Sequence, residues 1–351
     1  MINIQDILAQ LPRSVTVQPE SAGGHLQGIA IDAKREFMYL SFTTSLVKAD
    51  LSGHIVASVD GLVGHLGCIA YNYEDGRVYG SLEFKNDIIG RGIMKKIGYE
   101  KEVQDGFYIA CFDVDKLTKM NMNAETDGVM QAVFLKEVYD DYAAPGHRLG
   151  CSGIDGITFA PSFEDKSAQR LYVSYGVYSD VEREDNDHQV ILQYDITNWA
   201  QYAQPLNQLN MHRNGPAVPN NKYFVYTGNT TYGIQNLEYD PYTETMIAAV
   251  YKGQKPQFTN YDMFFIDCKT QPQTVLLQGV GENGQRLSLS DLFGAVDTIT
   301  GSFFPHGSTG IATLGDGYFY IAQPIQTNGV HGGVIDLYRM DRENKTFIPV
   351  E

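Results

Sequence analysis

Short runs of alternating apolar and polar residues, punctuated by Gly, Asn and Asp, extend through the whole chain. They predict β-strands joined by tight turns. One run recurs. HLQGIAID starts at His25, HLGCIAYN at His65, CSGIDGITFAP at Cys151, YGIQNLEYD at Tyr232 and HGSTGIATL at His306. Each has a small or polar lead-in, a pivot of Gly, Cys or Asn, and then an apolar pair such as Ile29–Ala30. A self-similar unit that returns along a chain marks a repeat architecture. We read these runs as the innermost strands of successive blades. The expected fold is an all-β propeller, a single domain of five blades with four antiparallel strands each.

The blades are expected near residues 25–61, 65–140, 151–228, 232–280 and 306–351. In the first, GIAID, FMYLSFTT, LVKADL and HIVASVD supply the strands, with Ser52-Gly53 as a hairpin turn. The second carries a long insertion from Lys85 to Asp105. The fourth strand of blade three is placed in KYFVYTG and that of blade four in TVLLQGV. Residues 13–19 also alternate. Ser14 to Val17 would complete the last blade, because ring closure removes exposed sheet edges. Ile2 to Leu11 reads as a short amphipathic helix.

Composition agrees with strands and narrows the partners. The 23 Tyr and 17 Phe favour strands over helices. A formal charge of -16 argues against a nucleic-acid partner, which needs a basic surface. Cys68, Cys111, Cys151 and Cys268 lie in or beside apolar runs without a CxxC pair, as buried reduced thiols would. The start of the chain lacks the pattern of a secretory signal, and no run approaches the ~20 apolar residues that span a bilayer. The expected location is therefore cytoplasmic, with no membrane partner. No nucleotide fingerprint and no GxSxG elbow is present, so no nucleotide cofactor is expected.

Propeller connectivity then places the candidate chemistry. Loops between blades, and loops between second and third strands, emerge on one face around the channel mouth, where ligands commonly bind. Six of the eight histidines fall there: His25, His65, His147, His188, His306 and His331. Gln27, Asp155, Gln235 and Thr309 share the register just before the pivot. His25, His65 and His306 with Asp155 form a candidate site for one divalent metal ion of the Zn, Mn, Fe or Ni type. Asp155, Gln235 and Thr309 with backbone carbonyls would instead suit calcium. Alternatively, these polar groups bond the backbone of neighbouring blades and line a wet channel. In LEFKNDIIGRG, Glu83 or Asp87 is a candidate acid or base, and Lys85 and Arg91 a candidate anion clamp. Lys252 has the blade position of Lys85. Trp199 reads as packing at a strand end.

The stretches HLQGIAIDAKREFMYLSFTTSL, GHLGCIAYNYEDGRVYGSLE, GCSGIDGITF and YFVYTGNTTYGIQNLEYD resemble a group of uncharacterised bacterial propeller proteins. The resemblance spans most of the chain and implies a fold without an activity. At the level of fold, five-bladed rings include arabinanase-type glycosidases, calcium-dependent apyrases and plant-type glutaminyl cyclases. No motif specific to any of them is present. Oligogalacturonate lyases hold a metal with histidines and a glutamine, and His25, His65, His306 and Gln235 are similar in kind but not in position.

These readings converge on an enzyme, a hydrolase or lyase acting on a small anionic or carbohydrate-like ligand at the channel mouth. Glu83, His65 and Asp155 are the catalytic candidates. Lys85, Arg148, Lys252, Gln235 and His188 are the ligand-binding candidates. The alternative is a non-catalytic propeller that binds a ligand or a protein. The oligomeric state is left open.

Overall fold

Alternation in these strands is weak because both faces are covered. The innermost strand of blade one, Leu26–Ile31, is buried at every position. A computed structural model describes residues 8–21, 23–293 and 299–351. It shows five antiparallel-dominated sheets in a ring, a five-bladed β-propeller. Blade one is Leu26–Ile31, Phe37–Phe42, Ser45–Asp50 and Ile55–Asp60. Blade two is His65–Asn72, Arg77–Phe84, Gly106–Phe112 and Met130–Phe134. Blade three is Cys151–Pro161, Gln169–Val177, His188–Tyr194 and Asn221–Tyr226. Blade four is Thr231–Asp240, Thr245–Tyr251 and Met263–Asp267. Its outer edge carries single bridges, Ile266 to Leu289 and Met263 to Ser302.

Blade five joins distant parts of the chain. Ile311–Gly315, Tyr318–Thr327 and Val330–Asp341 are consecutive, and Ser14–Val17 pairs with Val330–Asp341 from Ser14 opposite Asp336 to Val17 opposite Gly333. Thr346–Pro349 pairs with the far end of that same strand. The buried apolar side chains fall into five groups, one between each pair of neighbouring blades. Between blades five and one, Val15, Val17 and Tyr320 pack with Leu26 and Leu40. Between blades four and five, Ile247 and Phe265 pack with Phe319 and Ile321. A core cut into five wedges, with none missing, is a closed ring.

Three details differ from the expectation. Gln273–Leu276, which holds most of the TVLL run, does not complete blade four. It pairs with Asn283–Arg286, which adds in parallel to Asn221–Tyr226 of blade three. Val275 and the following Leu277 pack in the core between blades two and three, which holds the run to blade three. The insertion after Lys85 folds into a helix, Ile88–Lys96. Asp87 caps that helix, its carboxylate accepting from the backbone N–H of Ile89 and Gly90 at 3.0 and 2.8 Å. A second helix, Lys136–Ala143, lies between blades two and three. The expected helix over Ile2 to Leu11 lies for the most part outside the described residues.

Candidate active site at one mouth of the channel

A cavity of about 200 Å³ opens where the innermost strands begin. His25, Gln27, His65, Glu83, Lys85, Asp155 and Gln235 line it, with Tyr232 and Tyr251. The four blades that line it share one irregularity. The ladder between first and second strands slips between Leu26 and Gly28, Leu66 and Ile69, Ile154 and Ile157, and Ile234 and Asn236. Each slip is a β-bulge, which inserts an extra residue and re-aims its side chain. Gln27, Asp155 and Gln235 occupy these bulges and are buried at the axis. In blades one to three, a serine of the second strand secures the bulged backbone. The Ser41 hydroxyl donates to Gly28 O of its own blade at 3.4 Å and to Gly67 O in the bulge of blade two at 2.6 Å, Ser174 to Gly156 O at 2.8 Å and Ser81 to Cys68 O at 3.4 Å.

Glu83 is the hub. It stands directly across the ladder from His65. Its carboxylate lies 2.6 Å from Lys85 Nζ and 3.5 Å from His65 Nδ1, and accepts the Ile154 N–H at 3.0 Å. The Lys85 ammonium also donates to Ser152 O at 2.8 Å. Burial works against the charge of Glu83, and its two cationic neighbours outweigh it, holding the carboxyl below the usual range. Burial likewise opposes a charged His65, and the hydrogen bond to Glu83 with the nearby carboxylates raises it above the ordinary imidazole value. Asp155 is the exception. Its Oδ1 accepts the Cys68 N–H at 3.2 Å, and burial pushes its carboxyl up to about 7, with His65 pulling down and Glu83 pushing up.

Two glycines make room for these carboxylates. A Cβ on Gly153, at φ +126°, would lie 1.9 Å from Glu83 Oε2. One on Gly67 would lie 2.2 Å from Asp155 Oδ1. At the rim, the Gln27 amide donates to His25 Nε2 at 3.1 Å and to Thr43 Oγ1 at 3.2 Å, and the His331 ring stands 6.3 Å from that of His25.

Other expected site residues lie elsewhere. Arg148 is exposed and paired with Glu282 at 2.5 Å. Lys252 is exposed, paired with Asp262 at 3.1 Å and set over the Phe303 ring. His188 is buried against Tyr226 and Phe224, so it packs blade three and does not reach the mouth. Arg91, on the helix Ile88–Lys96, bonds Asn86 O just ahead of that helix. His147 packs between Tyr142 and Tyr178.

The expected metal set is not assembled. His306 packs against Phe304 and does not line the cavity that His25, His65 and Asp155 share. Blade five has no bulge in the register that the other four use, and Thr309 donates to Ala322 O at 3.0 Å. Among the described residues, no three His, Cys, Asp or Glu side chains are disposed to hold a metal ion. Cys68, Cys151 and Cys268 are buried free thiols, and Cys111 is half-buried. Among the described residues no helix is long and apolar enough to cross a membrane.

Fold and site together define a five-bladed β-propeller with a titratable cavity at one channel mouth. Neither protein-family models nor curated protein sequences match the chain. Among solved structures it is similar to the soluble aldose sugar dehydrogenase from Escherichia coli in the apo-form, at 11% identity over 93% of this chain and 100% of that one, with a TM-score of 0.39. It is also similar to the holo form of the pyranose dehydrogenase PQQ domain from Coprinopsis cinerea, at 10% identity over 88% and 81%, with a TM-score of 0.39. Hydrazine synthase from Kuenenia stuttgartiensis matches at 12% identity over 93% and 65%, with a TM-score of 0.33. Likeness at this level assigns no site and no activity.

Proposed function

We propose that the chain is an acid–base enzyme that cleaves a C–O bond in a small carbohydrate-like ligand held in the cavity. One observation carries this reading. Glu83, His65 and Asp155 meet in a single buried pocket, and their surroundings drive the three apart in acidity. Glu83 is a positioning residue, an anion that fixes the His65 ring through Nδ1. His65 is the general acid, an imidazolium that protonates the leaving oxygen. Asp155 is the general base, with a carboxyl that titrates at about 7, close to the best value for proton transfer at neutral pH.

The proton balance closes for either of two outcomes. In hydrolysis Asp155 takes a proton from water as its oxygen attacks carbon, and His65 protonates the departing oxygen. In elimination Asp155 takes a proton from the carbon next to the C–O bond, a C=C bond forms, and His65 again protonates the departing oxygen. In both, the proton on Asp155 returns to His65 through solvent. Neutral hydrogen-bonding groups, Gln27, Gln235 and the rim Tyr232, suit hydroxyls on a sugar-like ligand. The Lys85 ammonium is already committed to Glu83 and Ser152, which favours a sugar-like ligand over a free anion.

The test is a panel of aryl glycosides, followed by release of the phenolate, and of uronic-acid oligosaccharides, followed by the absorbance of the conjugated product. Turnover should show a bell-shaped pH profile with its acidic limb near neutrality. Asp155→Asn and His65→Gln should each lower kcat by about a hundredfold or more with a modest change in KM. Full activity in either variant would overturn the assignment. Tight binding of a sugar without turnover by any substrate would leave a binding propeller.

A further inference from the structure

The innermost strands have a second end. There a larger cavity, about 400 Å³, is lined by residues past the pivots, among them Asp32, Tyr71, Tyr73, Phe159, Glu238 and Leu314. Glu238 stands three residues beyond Gln235 on one strand, roughly 10 Å further along the channel at the usual strand rise. It belongs to the other mouth and takes no part in the chemistry above.

The carboxylates around this cavity differ in what they already bind. Asp32 Oδ1 accepts the N–H groups of Glu36 and Phe37, each at 2.8 Å. Asp240 accepts from Thr243 through its N–H and hydroxyl, and from Thr313 Oγ1 at 3.0 Å. Glu238 accepts a single hydrogen bond, from the Thr313 N–H to Oε1 at 2.8 Å, and among the described residues no cation lies within ion-pair distance of it. The lining cation, Arg35, donates instead to Leu314 O at 3.0 Å. Aromatic rings stand alongside: Tyr71 meets Tyr73 edge-on at 5.1 Å and stacks on Tyr39 at 6.3 Å.

A carboxylate without a counter-charge, walled by aromatic rings on a chain of net charge -16, is built to receive a cation. We propose that this mouth is a second binding site, for an organic cation with an alkylammonium group, which pairs with Glu238 and rests on the Tyr71–Tyr73 wall. Withdrawal from solvent pushes the Glu238 carboxyl up to about 8, and Asp240 adds to the push. Asp32, Arg35, Tyr71, Tyr73 and Tyr239 are the other titratable groups lining the cavity. At pH 7 the carboxyl of the free protein is therefore mostly protonated. An ammonium that pairs with it releases that proton.

The probe is butylammonium chloride, with butanol as its uncharged counterpart and putrescine as a dication. Calorimetry at pH 7 in two buffers of different ionisation enthalpy reads both affinity and protons released. Butylammonium should bind at least about tenfold more tightly than butanol and release close to one proton. Glu238→Gln should weaken binding by about tenfold and abolish the release. Tyr73→Leu should weaken binding by about threefold and keep the release. Both variants are to be compared at matched folded fraction. Equal binding of butylammonium and butanol, or unchanged binding in Glu238→Gln, would overturn the proposal, whatever the other mouth does.

Discussion

Replacing Asp155 with asparagine tests the acidity on which the acid–base reading rests, without any substrate. The carboxyl moves from an ordinary 3.8 to about 7 on folding, driven first by burial. In the unfolded chain it loses its proton near the ordinary value. Between those limits the folded protein keeps a proton that the unfolded chain releases. Stability associated with Asp155 is therefore complete below about pH 4, falls as pH rises, and is lost above about pH 7. Roughly three pH units at about 1.4 kcal/mol each give about 4 kcal/mol. Asparagine has the same shape and no charge, and its Oδ1 can still accept the Cys68 N–H. The variant should thus gain on the wild type by up to about 4 kcal/mol across this window and hold a constant advantage above it. Other titrating groups, Glu238 among them, are common to both proteins and cancel in the difference. His65 does not cancel fully: without the Asp155 charge its imidazolium loses a partner, which trims the gain near neutrality. The assay is urea unfolding followed by tyrosine and tryptophan fluorescence, at pH values stepped from about 4.5 to about 8.5. A difference that stays flat, or that shrinks as pH rises, would show Asp155 to be an ordinary ion-paired carboxylate and would remove the proposed base.

Two further perturbations follow from the same geometry. Gly153→Ala places a methyl group on the Glu83 carboxylate and forces a strained φ, so a destabilisation of about 2–4 kcal/mol is expected, with a fall in the His65 pKa by NMR titration. An unshifted His65 would mean that Glu83 does not set it. The double variant Val15→Ala with Val17→Ala removes apolar bulk from the strand that closes the ring and should cost about 3 kcal/mol in urea unfolding, since both side chains are buried between blades five and one. No loss would mean that the closing strand contributes little to the ring.

How much of this was legible in the sequence depends on the range of the interaction that sets each feature. The inner strands could be read because each blade repeats one local problem: a strand buried on both sides, with a pivot that bends it. The outer edges could not. TVLL has strand character, but Val275 and Leu277 find their partners in the core between blades two and three, and nothing in its pattern tells blade three from blade four. The site divides along the same line. Gln27, Asp155 and Gln235 follow from register, because a bulge before the pivot is part of the repeat. For Arg148, Lys252 and His188 the sequence offers loop position alone, and each side chain finds a nearby partner: Glu282, Asp262 and the Tyr226 ring respectively.

His306 shows where the repeat itself breaks. Its blade lacks the bulge that turns the others inward, and HGSTGIATL differs from HLQGIAID by carrying His one residue further from the pivot. The chain turns between His306 and the pivot, where the Gly310 N–H donates to Gly307 O at 3.1 Å, so His306 is not part of an extended lead-in. Ahead of that turn His306 packs against Phe304, while His25 and His65 line the cavity. The serines opposite the bulges carry a signal of their own. YLSF, YGSL and YVSY carry Ser41, Ser81 and Ser174 at matching places in the second strands, and blade four, with Ala249 opposite its bulge, lacks one. A small hydroxyl repeated on the strand facing the pivot marks where backbone carbonyls leave the ladder. Where the ladder opens, a side chain is free to turn toward the axis, and in blade three that side chain is Asp155.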